Sequence, residues 1–226
     1  MFIFDVDGTL ITGESTDWAC FRGAFEEVAG FFLSDSFFES IEEITAQAII
    51  HQALPDLPLE ERRLKERSVC EGFLRRLKEA HNNAPHSFKA VEGAAALIQE
   101  LKEKGIPIAI ATGDWRETIS FKLSAGGLSF DGIPMVTSSE FFSRSEIIAA
   151  AAAKAGGPIE KAIYVGDGPW DLRACRKLGI RFIGVGHRRE KLRIAGAAHH
   201  VDDLSPLEFW RIKEMLDSPQ ILRSCS

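Results

Sequence analysis

Three short apolar runs, each of which stops at a polar turn, constrain the fold of this chain most strongly. Residues 2–4 lead into Asp5, residues 106–111 lead into Thr112, and residues 162–165 lead into a Gly-Asp-Gly turn. Short continuous apolar runs are typical of strands buried on both faces, as in a parallel sheet. The similar runs at 181–185 and 133–136 predict two further strands.

Apolar residues at helical spacing separate these runs. The stretches at 97–101, 115–123 and 172–178 each end at or close to a glycine, and residues 205–208 have the pattern of a helix start. Strands that alternate with helices predict an α/β domain with a doubly wound, Rossmann-like parallel sheet. Such sheets bind ligands beyond the carboxyl ends of their strands, where all three polar turns are expected to lie.

Residues 12–90 interrupt this alternation. No strand is predicted there, and the sequence favours helices over residues 17–31, 35–52 and 59–80. We therefore predict an α/β core domain of residues 1–11 and 91–226, with residues 12–90 inserted as an α-helical cap domain. The side chains that follow the first strand are expected to face the site, namely Glu14, Asp17, Trp18 and Arg22.

Four aspartates follow the strands at residues 2–4 and 162–165. Asp5 and Asp7 are two residues apart, so an extended chain directs both to one side. Asp167 and Asp171 follow the other strand, and four carboxylates at one sheet edge repel one another strongly. Mg²⁺ relieves such repulsion, because it binds carboxylate oxygens together with water and phosphate. The sequence therefore predicts a magnesium site formed by these four residues.

Each polar residue also has a plainer interpretation when it is taken alone. Asp167 suits a turn, Asp171 suits the first turn of a helix, and Thr112 suits a helix N-cap. Thr112 can instead donate to a phosphate oxygen, together with backbone N–H groups of its turn. Asp114 is expected to cap the helix that follows it.

In their order and placement, these motifs resemble those of the haloacid dehalogenase-like hydrolase superfamily, on its phosphatase branch. The likeness extends over nearly the whole chain, and the insertion is similar to the helical cap of the C1 type found in phosphoglycolate phosphatase-like members. The matching motifs are Asp5-Val6-Asp7-Gly8-Thr9, Thr112-Gly113, and Asp167 with Asp171.

The resemblance implies a Mg²⁺-dependent phosphatase that works through an aspartyl phosphate. Asp5 would be the nucleophile, and Asp7 would be the general acid and base whose backbone carbonyl also reaches the metal. Asp167 would bind Mg²⁺, with Asp171 as a further ligand or as its support. Asp7 argues against dehalogenation, because the true dehalogenases of the superfamily lack this second acid.

The superfamily also places a cation beside the phosphate, and this position departs from the usual pattern. Many members have Lys-Pro there, and the present chain has none. Arg144 is the favoured candidate, since a guanidinium suits phosphate oxygens, and Lys154 is the alternative. The resemblance implies that Thr9, Thr112 and Gly113 complete the phosphate-binding set.

Two other functions remain compatible with these residues. A phosphotransferase of the same superfamily, such as a sugar phosphomutase, would use the same catalytic groups. A non-enzymatic, phospho-accepting signalling domain would also place acids at strand ends, but the helical insertion and Asp7 argue against it. The expected partner is a small-molecule phosphate ester, as a monomer or a homodimer of this chain, and no residue identifies that ester.

The net charge of -6 argues against a nucleic-acid partner, which requires a basic face. The densest basic pairs, at residues 62–63, 75–76 and 188–189, are interpreted as solvated helix surface. The four cysteines lie far apart, and neither a signal peptide nor an apolar run of about 20 residues is apparent, so we expect no membrane partner and a cytoplasmic location.

Overall fold

A computed structural model of the chain describes residues 1–217, apart from the side chains of residues 215 and 217; Cys225 therefore lies outside the described residues. In chain order the strands are β1 (Phe2–Phe4), β2 (Ile11–Thr12), β3 (Lys89–Ala90), β4 (Ile108–Ala111), β5 (Met135–Val136), β6 (Ile163–Gly166), β7 (Arg181–Val185) and β8 (His200–Val201). The helices are α1 (Glu14–Ala29), α2 (Asp35–Ser40), α3 (Ala46–Ala53), α4 (Leu59–Asn83), α5 (Ala94–Glu103), α6 (Arg116–Ala125), α7 (Arg144–Lys154), α8 (Pro169–Leu178), α9 (Arg189–Ile194) and α10 (Pro206–Asp217).

Six strands form one parallel sheet in the order β5-β4-β1-β6-β7-β8. β1 lies between β4 and β6, and Phe4 pairs with Ile110 on one side and Val165 on the other. This strand order reverses at β1, which is where doubly wound sheets bind their ligands. The predicted fold class and the five predicted strands are confirmed, and β8 is an additional edge strand.

The sheet is covered on both faces, and the alternation of side chains in β1 explains how. Phe2 and Phe4 belong to one apolar cluster, which includes residues of α5 and α10, whereas Ile3 belongs to a second cluster with residues of α7 and α8. All three are at most 1% exposed, and burying a side chain of this size stabilises the fold by about 1.5–3 kcal/mol. The rigid sheet therefore fixes the strand ends on which the site is built.

The insertion begins and ends at a small two-stranded sheet. β2 pairs with β3 in antiparallel fashion, with Ile11 opposite Ala90 and Thr12 opposite Lys89. The prediction that residues 12–90 contain no strand was therefore wrong, since Thr12, Lys89 and Ala90 belong to strands, although these strands are only two residues long. The pairing brings the two ends of the α1–α4 insertion together, which supports the domain boundaries that we propose at residues 12 and 90.

The helix predicted over residues 35–52 is divided into α2 and α3. Thr45 caps α3 by accepting a hydrogen bond from the Ala48 N–H at 3.1 Å, and it also donates to the Phe142 carbonyl at 2.8 Å. The Ala46 N–H donates to the Gly113 carbonyl at 2.6 Å. Contacts with the core thus explain the break, since residues 41–45 lie against the core instead of continuing a helix. No helix within residues 1–217 combines the length and apolar character needed to cross a membrane.

Candidate active site

Asp5 occupies the position directly after the central strand. Its N–H donates to the Val165 carbonyl at 2.9 Å, which continues the sheet pairing by one residue, and its side chain is only 5% exposed. Burial raises the pKa of Asp5 to about 6, although the neighbouring Arg144 opposes this shift. A buried carboxylate of this kind needs nearby cations to remain ionised.

Arg144, the first residue of α7, supplies one such cation. Its Nη1 lies 3.4 Å from Asp5 Oδ1 and 2.9 Å from Asp171 Oδ1, while its Nη2 donates to the Ile44 carbonyl at 3.0 Å. Lys154, at the other end of α7, has a 49% exposed side chain and lies 3.9 Å from Glu140. The structure therefore brings Arg144 to Asp5 and leaves Lys154 at the surface.

Asp167 and Asp171 complete a buried acidic group beside Asp5. One carboxylate oxygen of each residue lies within 4.8 Å of the others. Asp171 accepts from the Gly168 N–H at 3.0 Å, as expected for a residue in the first turn of a helix, and it also lies in the acidic group. Asp167 is bound by Arg188 at 2.5 Å. The pair Arg188-Arg189 was predicted to be solvated, and this prediction was wrong for Arg188, whose side chain is 15% exposed.

The acidic group of Asp5, Asp167 and Asp171 fits a hard divalent cation. Burial raises the pKa of Asp167 well above its usual range and also raises that of Asp171. These shifts reflect carboxylates held close together with little water, an arrangement that a cation stabilises. All three donors are carboxylate oxygens, which suits Mg²⁺. The chemistry of the donor set is therefore consistent with the predicted metal.

Two glycines are required by the close packing of this site. Gly8 has a φ of 75°, and a Cβ atom added there would lie 2.1 Å from Asp167 Oδ2. A Cβ atom added at Gly113 would lie 2.4 Å from Arg144 Nη2. Both distances are far shorter than any van der Waals contact, so each glycine allows a charged group of the site to approach the backbone.

Asp7 belongs to a second acidic group that faces the same cleft. Lys122 of α6 is fully buried, and its Nζ lies 2.7 Å from carboxylate oxygens of Asp7, Asp17 and Asp114. Burial opposes the charge of Lys122, but the three carboxylates raise its pKa well above the usual range. The ammonium of Lys122 therefore occupies the centre of this second acidic group.

This arrangement changes two sequence-based predictions. The Asp7 carboxylate binds Lys122 and lies outside the group of Asp5, Asp167 and Asp171, so only its backbone carbonyl remains as the expected metal contact. Burial raises the pKa of Asp7 to about 6, with Lys122 opposing the shift. The second prediction was that Asp114 caps the helix that follows it. One Asp114 oxygen accepts from the Trp115 N–H at 2.7 Å, but Trp115 itself occupies the N-cap position of α6. The other Asp114 oxygen binds Lys122.

The predicted phosphate-binding residues are only partly brought together. Thr112 is 1% exposed at the end of β4, and with Gly113 it lines the cleft above Asp5. The Thr112 hydroxyl also accepts from the Asp114 N–H at 3.4 Å. Thr9 is fully buried and does not line this cleft, so its side chain has no visible route to a ligand.

The cleft has a volume of about 80 Å³ and lies between the strand ends and the insertion. Glu14, Asp17 and Trp18 line it from the insertion, as predicted, whereas Arg22 lies further out in an adjoining groove. Ile44 closes it from the segment between α2 and α3. The small volume suits a group of the size of a phosphate.

Sequence reasoning missed Lys122 and Arg188. Lys122 follows Ile119 by three residues and Thr118 by four, so it lies on the buried stripe of α6, and a lysine on such a stripe requires anionic partners. Arg188 follows β7 at the carboxyl edge of the sheet, where it should have been considered together with the aspartates. The signal for Arg188 was therefore its position shortly after a strand, which places it at the same edge of the sheet as the aspartates.

The fold and the site together define an α/β protein that binds its ligand at the carboxyl edge of a Rossmann-like sheet, where buried carboxylates follow the central strands. The chain belongs to the haloacid dehalogenase-like hydrolases, since the model of that family matches residues 2–185.

The chain is also similar to individual proteins and to solved structures. The chain is 26% identical over 225 residues to "Putative pyrophosphatase PpaX" of Clostridium perfringens, covering 96% of this chain and 98% of the relative. It is 29% identical over 105 residues to "Protein SUPPRESSOR OF QUENCHING 1, chloroplastic" of Arabidopsis thaliana, but the match spans only 10% of that protein. The structure of β-phosphoglucomutase from Clostridium difficile has the same fold, with a TM-score of 0.74, 20% identity, and coverage of 94% of this chain and 95% of that one.

Proposed function

We propose that this protein is a Mg²⁺-dependent phosphatase that hydrolyses a small phosphate monoester through a phosphorylated Asp5. The observation that carries the proposal is the position of Asp5 beyond β1, with Arg144 within 3.4 Å on one side and the Asp7–Lys122 contact facing the same cleft. The turn after β1 supplies both a nucleophile and a proton-transfer group, and the start of α7 supplies a cation for the phosphoryl oxygens.

In the proposed first step, an Asp5 carboxylate oxygen attacks phosphorus and the ester oxygen leaves. Arg144, the Thr112 hydroxyl and the Gly113 N–H bind the phosphoryl oxygens, where positioning and charge stabilisation supply most of the catalysis. Asp7 gives its proton to the leaving oxygen. A pKa of about 6 keeps part of the Asp7 population protonated near neutral pH.

In the second step, the same Asp7 takes a proton from a water molecule, which attacks the phosphorylated Asp5 and releases inorganic phosphate. Asp5, Asp167 and the backbone carbonyl of Asp7 would hold Mg²⁺, with Asp171 as a further ligand or as support. When bound there, Mg²⁺ supplies charge neutralisation between the phosphate and Asp5. Lys122 holds the Asp7 carboxylate in place through both steps.

The direct test is a screen of phosphate monoesters with and without Mg²⁺, in which released inorganic phosphate is measured. The proposal requires turnover that chelation removes and added Mg²⁺ restores. A phosphomutase is the alternative, since the chain shares the fold of β-phosphoglucomutase and Asp5 is nearly closed off from water. Formation of an isomeric phosphate ester without released phosphate would favour that alternative.

Metal binding makes a prediction that does not depend on turnover. At 100 times its dissociation constant, Mg²⁺ should stabilise the protein by about 2.7 kcal/mol, which raises the thermal midpoint by about 5–10 °C for a chain of this size. Asp167→Asn should lose this shift, because it removes a central carboxylate of the buried group. Asp56→Asn, at an exposed turn, should retain it. An equal shift in both variants would exclude the assigned metal site.

Arg144→Ala is expected to lower kcat/KM by about 10²–10³-fold, the usual effect of removing a group that stabilises developing charge. Lys154→Ala is the matched control on the same helix and should change kcat/KM by less than about threefold, since its side chain is largely solvated. Because Arg144→Ala also leaves Asp5 and Asp171 without their common partner, Arg144→Lys is measured in parallel. A loss confined to Lys154→Ala would reverse the assignment.

A further inference from the structure

A basic groove adjoins the candidate active site, and none of the steps proposed above uses it. It has a volume of about 370 Å³, several times that of the cleft over Asp5. We define the basic groove by the following residues: Trp18, Arg22, Trp170, Arg173, Arg188 and Lys191.

The basic groove and the cleft form one continuous space. Trp18, Ile44, Trp170 and Arg188 line both of them. A phosphate bound at Asp5 nearly fills the small cleft, so the rest of an ester must extend past these shared residues into the groove. The groove is therefore the place where the leaving group of a substrate would be bound.

Positive charge predominates in the groove. Four cationic side chains line it against a single acid, Glu39, although the whole chain has a net charge of -6. Arg22 and Arg188 are each balanced by an aspartate at 2.5 Å. The remaining two cations, Arg173 and Lys191, have no carboxylate partner among the side chains that the structure describes.

These last two cations are available to a ligand. Arg173 donates through Nη2 to the Glu42 backbone carbonyl at 3.1 Å, which orients its guanidinium without neutralising it. Lys191 lies exposed on α9, and within the described part of the chain its ammonium forms neither an ion pair nor a hydrogen bond. Both side chains come from the core, Arg173 from α8 and Lys191 from α9, and both line the groove.

Aromatic rings make the rest of the groove rigid. The Arg22 guanidinium lies 4.8 Å from the centroid of Phe38, and that of Arg188 lies 5.0 Å from the centroid of Trp170. Trp18 and Phe38 pack edge to face with centroids 4.9 Å apart. A guanidinium that is stacked on a ring is already held in place, so it loses little conformational entropy when a ligand binds. This favours recognition of an anionic group at a fixed position.

We propose that the basic groove binds a second anionic group, a phosphate or a carboxylate, at the far end of the leaving group. The substrate would then be a phosphate monoester with two anionic ends, one at Asp5 and the other between Arg173 and Lys191. This inference rests on the proposed function, because that function defines which end of the ligand is the leaving group.

The test uses three four-carbon probes that differ only at the far end: butyl phosphate, butane-1,4-diol bisphosphate and 4-(phosphonooxy)butanoate. Binding is measured by calorimetry to the full-length Asp5→Asn protein with Mg²⁺, so that no turnover is required. The probes with a second anion should bind at least about tenfold more tightly than butyl phosphate, since each of them adds a hydrogen bond between charged groups. The better of these two probes identifies the second group as phosphate or carboxylate.

The double variant Arg173→Gln, Lys191→Gln, made in the same Asp5→Asn background, should remove this preference and leave butyl phosphate binding within about threefold. The matched control Lys177→Gln, Arg193→Gln changes the same charges on the same two helices outside the groove and should retain the preference. Equal affinity for all three probes, failure of all three to bind, or an equal loss in both double variants would overturn the proposal. Absence of phosphatase activity in the unmodified protein would instead overturn the proposed function, and the two failures are therefore distinguishable.

Discussion

Asp5→Asn is expected to lower phosphate release by a factor of about 10⁴ or more, the scale seen when the nucleophile of a covalent mechanism is removed. The amide is nearly the same size and occupies the same position after β1, but it cannot form the phosphorylated intermediate. Substrate binding should survive, because Arg144, Thr112 and Gly113 are unchanged. The measurement is single-turnover phosphate release, together with calorimetric binding of the same ester.

The same variant should also be more stable than the unmodified protein when metal is absent. Burial raises the pKa of Asp5 from 3.8 to about 6, so its ionised form destabilises the fold at pH 8 by up to about 3 kcal/mol. A neutral amide removes this effect, and the thermal midpoint in chelator should rise. Asp56→Asn serves as the control for both measurements. Turnover by Asp5→Asn at a rate near that of the unmodified protein would refute the assignment of the nucleophile.

Most strands of the sheet could be predicted from the sequence, because the signal for each strand lies in its own residues. A strand buried on both faces must be apolar at every position, and residues 2–4 and 162–165 satisfy this condition. The division between α2 and α3 could not be predicted in this way. It depends on the contact of Thr45 with the Phe142 carbonyl, and 97 residues separate these partners in the chain.

In the candidate site, too, local signals could be predicted from the sequence and contacts between distant residues could not. Asp5 and Asp167 could be located because each follows its strand directly, and parallel strands end at one edge of the sheet. The partner of Asp7 could not be located from motif spacing, because Lys122 reaches it from a helix that follows a different strand. What the sequence did contain was a lysine on an apolar helix stripe, and such a residue implies a buried anion without indicating which one.

Lys122→Met is expected to lower the free energy of unfolding by about 3–5 kcal/mol, the usual effect of removing one partner of a buried ionic group. The substitution leaves Asp7, Asp17 and Asp114 facing one another around an apolar side chain. For a chain of this size the thermal midpoint should fall by about 6–20 °C. Turnover at a temperature where the variant is folded should fall as well, because Asp7 loses the contact that orients it. Lys102→Met, at an exposed position of α5, is the control and should change the midpoint little.

The pH dependence of this loss separates an ionic role of Lys122 from simple packing. Lys122 lowers the pKa values of Asp7 and Asp17, which burial otherwise raises, so the variant should raise both of them further. A carboxyl whose pKa is raised in the folded state destabilises the fold when it is ionised, and the effect disappears as pH falls below its unfolded value. The difference between variant and unmodified protein should therefore shrink as the pH falls from 8 to 5. Adding Asp17→Asn to the variant should recover part of the loss at pH 8, because one repelling carboxylate is removed. A deficit that is the same at every pH, and that Asp17→Asn does not reduce, would mean that Lys122 acts through its volume and not its charge.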